Sequence, residues 1–185
     1  MQEKSMRTFV AYVEDKPGVL NRIASMFRRR AFNIISLNVG RTHEPGISRM
    51  TFVVEADDDL ARRIEANLYK LVNVLSVEDI TKKAAVSRDL ALIKVDVGPD
   101  KRAEVLQLCD VFRARAVDVH PDTLVLEITG NEDKIDGLVD VLRPYGVIEM
   151  ARTGRLAMTR SSRSQAAAVT RPVSDSHDPQ VSYSV

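Results

Sequence analysis

One order of strands and helices occurs twice along this chain, and that repeat limits the possible folds more than any other feature of the sequence. Arg7 to Val13 alternates Phe9, Ala11 and Val13 against Val10 and Tyr12, the two-residue period of a strand. Lys16-Pro17-Gly18 breaks that pattern. Val19, Leu20, Ile23, Ala24 and Phe27 then recur at helical spacing, which predicts a helix from about Gly18 to Arg30. Strands are expected over Phe32 to Gly40 and Ser48 to Glu55, joined by a loop containing Pro45-Gly46. Asp57-Asp58-Asp59 opens a second helix, with acids at its positive end and Leu60, Ile64, Leu68 and Leu71 as its stripe; Val72 to Ile80 reads as a fourth strand. From Arg88 the order restarts: strand Leu90 to Val97, helix Lys101 to Arg113, strands Ala116 to His120 and Thr123 to Thr129, helix Asn131 to Leu142, strand Val147 to Arg152.

The order β-α-β-β-α-β is the split βαβ unit of the ferredoxin-like plait, an antiparallel sheet with two helices on one face. The expected fold is therefore α+β, two tandem ferredoxin-like units over residues 7–81 and 88–158, with 82–87 as linker. Residues 159–185 contain no Leu, Ile, Met or Phe and are rich in Ser, so they are expected to form a disordered tail. Units of about 75 residues bury only about 60% of the surface their unfolded chains expose. Their sheets also have open edges. A homodimer is expected on these grounds, with edge-to-edge pairing in the first unit as one way to build it.

Composition removes several function classes. Among 185 residues, 27 Lys and Arg oppose 26 Asp and Glu, leaving no net field to hold nucleic acid or an anionic membrane. The longest apolar run, Phe9 to Val13, is far short of the ~20 residues of a membrane-spanning helix. The first residues lack a basic segment followed by an apolar one, so the expected compartment is the cytosol. A single Cys excludes an internal disulfide, and His43, His120 and His177 are too dispersed for a local metal-ligand pair. Cys109, set among Val105, Leu106, Leu108 and Phe112, reads as packing.

No Walker A, GxGxxG, GxSxG, HExxH or CxxC sequence is present, and Asp57-Asp58-Asp59 reads as a helix start rather than an acid/base pair. No catalytic residue is therefore assigned. RNA-recognition plaits need stacking aromatics and a basic glycine-aromatic strand, whereas Arg49 to Glu55 has one aromatic and no glycine. Arg28-Arg29-Arg30 suits the negative end of a helix, with partner docking as the alternative. What remains is the first loop, Glu14-Asp-Lys-Pro-Gly-Val-Leu20. Proline fixes the start of the helix, and glycine clears the space where backbone N–H groups point outward at its positive end. The loop is either a carboxylate site or simply a well-punctuated strand-to-helix turn.

Three segments carry a family resemblance. Asp15-Lys-Pro-Gly-Val-Leu20, Phe32-Asn-Ile-Ile-Ser-Leu-Asn-Val-Gly40 and Ile47-Ser-Arg-Met-Thr51 resemble the small, regulatory subunit of acetohydroxyacid synthase (acetolactate synthase), whose N-terminal unit is an ACT domain. The pairing of Asn33-Ile34 with Ser36-Leu37, followed by Ser48-Arg49-Met50-Thr51, is more specific than the Pro-Gly turn that many ACT domains share. Leu71-Val-Asn-Val-Leu75 is similar to the family's close of that domain, and Ala151-Arg-Thr-Gly154 to the end of its C-terminal domain.

The resemblance implies a non-catalytic chain. It would activate a large catalytic subunit that holds thiamine diphosphate, magnesium and FAD, and would confer feedback inhibition by a branched-chain amino acid, valine first, with no cofactor or metal of its own. It implies an effector site between two ACT domains. Gly18, Val19 and Leu20 would supply backbone donors to the effector carboxylate, and Asp15 would reach its ammonium group; Asn33 and Ile34 would come from the other protomer. Many family members have Asn at the position of Asp15, and an acid there favours the ammonium but repels a carboxylate. The alternative is a stand-alone ACT-type sensor controlling a different enzyme or a transcription factor.

Overall fold

The structure, a computed structural model, describes residues 4–160. The first unit runs β1 (Ser5–Glu14), α1 (Val19–Arg29), β2 (Ile34–Arg41), β3 (Ile47–Ala56), α2 (Asp58–Leu68) and β4 (Val74–Asp79). The second runs β5 (Ala85–Asp96), α3 (Pro99–Phe112), β6 (Arg115–Val119), β7 (Thr123–Gly130), α4 (Glu132–Leu142), a 3-10 turn at Arg143–Tyr145, β8 (Val147–Arg152) and β9 (Leu156–Thr159). The sheets are ordered β2-β3-β1-β4 and β6-β7-β5-β8, every pairing antiparallel, and β9 joins β5. This is the expected α+β pair of ferredoxin-like units. No helix among the described residues is long and apolar enough to cross a membrane.

Strand alternation builds the first core. Phe9 lies opposite Phe52 and Ala11 opposite Met50, all on the helix-covered face. The Phe9 and Phe52 rings stack at 5.2 Å, and Phe27 from α1 meets Phe52 edge-on at 5.3 Å. That arrangement suits ring quadrupoles. The second core is aliphatic at its centre, with Ile93, Leu124, Leu126, Ile128, Ile135 and Leu138 fully buried.

Three departures from the sequence reading matter for function. Leu20 and Ala24, expected in the core stripe of α1, are exposed, Leu20 at 47%, while Met26 takes a core position. Half of the expected linker is strand: Ala85 to Arg88 pairs with Leu156 to Thr159. The expected tail accordingly begins too early, since Thr159 belongs to β9 and the Arg160 N–H donates to the Ala84 carbonyl at 2.8 Å; its remainder, 161–185, lies outside the described residues.

The last two departures cover part of the outer face of the first sheet. Ala157 of β9 packs with Val10 and Ile80 in a small separate core, flanked by Tyr12 and Ala85. Arg49 of β3 lies 5.9 Å over the Tyr12 ring and donates a hydrogen bond to the Ala157 carbonyl.

Candidate functional site

The turn between β1 and α1 is pinned from both sides. The Glu14 N–H donates to the Asn73 carbonyl at 2.9 Å, and the Asp15 N–H to the Gly46 carbonyl at 2.8 Å. The Asn73 amide donates to the Glu14 carboxylate and accepts from Arg22 Nη1 at 2.6 Å, tying α1 to the loop before β4. The Asn73 hydrogen bond, and then Lys16, hold the Glu14 carboxyl below its ordinary value.

Gly18 is the residue that opens α1, at φ +84, a left-handed conformation that side-chain-bearing residues rarely adopt. A Cβ built there would meet nothing within 4 Å, so the space above the helix end is open. Helices leave their first N–H groups without intrahelical partners, and these attract anions. In α2 the Asp57 carboxylate accepts from the Leu60 N–H at 2.7 Å, followed by Asp58 and Asp59. In α4 Asn131 accepts from the Lys134 N–H, followed by Glu132 and Asp133. α1 has neither a side-chain cap nor an acid in its first turn. Val19 is buried in the core, and its N–H already donates to the Lys16 carbonyl at 3.3 Å, so it is not the free donor expected, while exposed Leu20 adds apolar surface beside the turn.

Asp15 pairs with Arg41 of β2 at 3.0 Å. This contact joins residues distant in sequence, and the local pattern around Asp15 carries no sign of it. Chemically it offsets the negative charge that Asp15 brings to the turn. Glu14 and Asn73 also escaped assignment, although Asn73 lies in one of the segments singled out above.

Asn33 and Ile34 stand at the other end of α1. Eleven residues of helix at 1.5 Å per residue separate the two groups by about 16 Å, more than one amino acid can bridge. Within one chain, Asp15, Gly18, Val19 and Leu20 are brought together, and Asn33 and Ile34 are not brought to them. Asn33 is exposed, Ile34 packs partly against the first core, and β2 is an edge strand carrying exposed Ile35 and Val39.

Two clefts lie between the units. One of about 370 Å³ is bounded by Ile35, Ser36, Arg152 and Gly154, and one of about 430 Å³ by Arg41, Arg49, Leu156 and Met158. Neither includes any of the six residues expected to bind the effector. No group of three or more His, Cys, Asp or Glu among the described residues could hold a metal. Cys109 is buried, and burial, reinforced by Asp110, pushes its thiol up, away from the reactive thiolate.

Comparison with known proteins covers both units. Residues 9–76 match the family model of the AHAS small subunit-like ACT domain, and residues 88–161 that of the small subunit of acetolactate synthase. The acetolactate synthase small subunit of Aquifex aeolicus is 47% identical over 150 residues, covering 80% of this chain and 78% of that one. That of Mycobacterium bovis is 44% identical over 156 residues, 84% of this chain and 93% of its own. The crystal structure of the small subunit from Thermotoga maritima superposes with a TM-score of 0.80 at 38% identity, covering 85% of this chain and 99% of that one.

Proposed function

Since the chain belongs to the acetolactate synthase small-subunit family, we propose that it is the regulatory partner of a cytosolic catalytic large subunit. It raises that subunit's activity and makes it sensitive to a branched-chain amino acid, with valine as the first candidate. Thiamine diphosphate, magnesium and FAD belong to the large subunit, and the small one carries out no reaction. The observation that carries this reading is the bare N-terminus of α1 behind Gly18, with neither side-chain cap nor acid. A free α-carboxylate fits such an end, because the helix N–H groups and dipole favour an anion there. A zwitterion also needs a partner for its ammonium group and an apolar wall for its side chain. Asp15 and Leu20 are the candidates on the same turn, and the pairing of Asp15 with Arg41 reduces repulsion of the effector carboxylate.

The two halves of the expected site stand about 16 Å apart along α1, so a complete site takes Asn33 and Ile34 from a second copy. Exposed Leu20 on α1, with Ile35 and Val39 on edge strand β2, supports a homodimer built through α1 and β2. In the reconstituted enzyme, Gly18→Asp is expected to abolish valine inhibition while leaving activation of the large subunit in place, because it puts a carboxylate where the effector carboxylate would sit. The reading fails if calorimetry detects no branched-chain amino acid binding to the wild-type dimer, or if the Gly18→Asp enzyme remains fully inhibitable.

A further inference from the structure

Two segments that stand out in the sequence, Phe32–Gly40 and Ala151–Gly154, meet at one junction. A bulge between Ile34 and Ser36 breaks the register of β2 against β3 and sets Ser36 opposite Val53, on the outer face of the first sheet. There the Ser36 Oγ accepts a hydrogen bond from the Arg155 N–H at 2.9 Å. Gly154 fits directly against it. A Cβ on Gly154 would stand 2.4 Å from Ser36 Oγ and 3.4 Å from Ser36 Cβ, and its φ of +77 also disfavours a side chain. Close approach of backbone to hydroxyl is therefore a property of this pair, serine against glycine.

The arginine beyond that glycine extends the junction. Arg155 Nη1 donates to Thr8 Oγ1 of β1 at 3.1 Å, and Nη2 to Glu132 at the start of α4, also at 3.1 Å. Arg152, three residues earlier, joins Asp89 of β5 and Asp136 of α4, each at 3.0 Å. Ser36 thus holds the first sheet to a segment that is itself fastened to the second unit. It lies two residues from Ile34, on the strand that begins at the expected effector contacts.

We propose that the Ser36–Gly154 contact is the coupling element of this protein. Displacement of the Asn33–Ile34 end of β2 by a bound amino acid shifts Ser36 through the bulge, and Ser36 passes the shift to the second unit by way of the Arg155 backbone. The proposal rests on the effector reading above and adds the path by which occupancy of the first unit reaches the second. Packed contacts of this kind transmit sub-ångström shifts because they tolerate few intermediate arrangements. Ser36 acts here as a positioning residue and need not touch the effector.

The test uses the full chain with its large subunit, and valine as the probe. Ser36→Ala removes the acceptor and Gly154→Ala forces the contact apart. Each variant is expected to bind valine by calorimetry within about twofold of wild type, while half-inhibition of the reconstituted enzyme needs about tenfold more valine, a usual size for coupling between sites. Hydrogen exchange without valine adds a readout independent of the effector: the Arg155 amide should exchange at least about tenfold faster in Ser36→Ala. The proposal is overturned if Ser36→Ala and Gly154→Ala fold, bind valine and are inhibited as the wild type is. It is also overturned if the Arg155 amide exchanges equally in wild type and Ser36→Ala. Absence of valine binding to the wild-type dimer is a different result, which overturns the effector reading and this one with it.

Discussion

The two units share one topology and differ at their helix starts. In the first, α1 begins with a left-handed glycine, no side-chain cap and no acid; in the second, α3 begins with Gly98 at an ordinary φ of −68, followed by Pro99 and Asp100. Equivalent places in a repeated fold thus carry different surfaces. The sheets differ too, since the outer face of the first is covered by β9 and the start of β5. The fold therefore specifies only the scaffold, on which the two units carry different helix starts and differently covered sheet faces.

The strongest way to probe that comparison is through the cores. Phe52→Ala removes the ring that joins Phe9 to Phe27 in the first unit, and Leu126→Ala deletes a fully buried side chain in the second. Each should cost about 3–5 kcal/mol. Because Arg49, Ala157 and Arg155 join the units, either variant is expected to lower the midpoint of a single urea transition; two separated transitions would mean that the units are independent.

A smaller effect distinguishes the two glycines. Gly18→Ala should cost about 1–2 kcal/mol, because an L side chain is strained at φ +84, whereas Gly98→Ala should stay within about 0.5 kcal/mol. Equal losses in thermal unfolding would erase the distinction between the two helix starts. Asp57→Ala deletes the α2 cap and should cost about 1 kcal/mol by the same measurement.

Acid gives the smallest and most local effect. Arg7 and then Lys82 hold the Asp58 carboxyl below its ordinary 3.8, and Asn73 and Lys16 hold Glu14 below 4.5. A carboxyl lowered in the folded chain favours folding above its unfolded value, and that contribution disappears as pH falls through the folded value. Melting temperature should therefore decline below about pH 4.5. Arg7→Met should flatten the part due to Asp58, and Asn73→Ala the part due to Glu14. A wild-type profile that either substitution leaves unchanged would contradict these assignments.

Much of this architecture was legible in the sequence because alternation and helical spacing survive in elements of eight or more residues, as β1, α1 and β3 illustrate. β9 was not legible. Its four residues are too few to establish a period, and most of its partner segment, Ala85 to Ser87, reads as linker until the pairing is known. The turn at Gly18 could be read from Pro17 and Gly18, since proline fixes its φ and glycine admits the left-handed conformation found there. Neither the Arg41 partner of Asp15 nor the seat of Gly154 against Ser36 could be, because each depends on residues that only folding brings together. The exposure of Leu20 and Ala24 also shows that the apolar stripe of α1 is wider than the core of its own unit requires.

The position of β9 sets an order of events during synthesis. Ser36 waits for Arg155, 119 residues downstream, and Thr8 waits for the same side chain, 147 residues downstream. The first unit can acquire its helix-covered core as it leaves the ribosome, but Val10, though joined early by Ile80, lacks its Ala157 cover until nearly all of the second unit has been made. Such non-local closure is slow, because loop entropy must be lost before the contact forms. A chain interrupted before residue 156 would lack β9 and with it the Ala157 cover over Val10, so the last short strand is what closes the outer face of the first sheet.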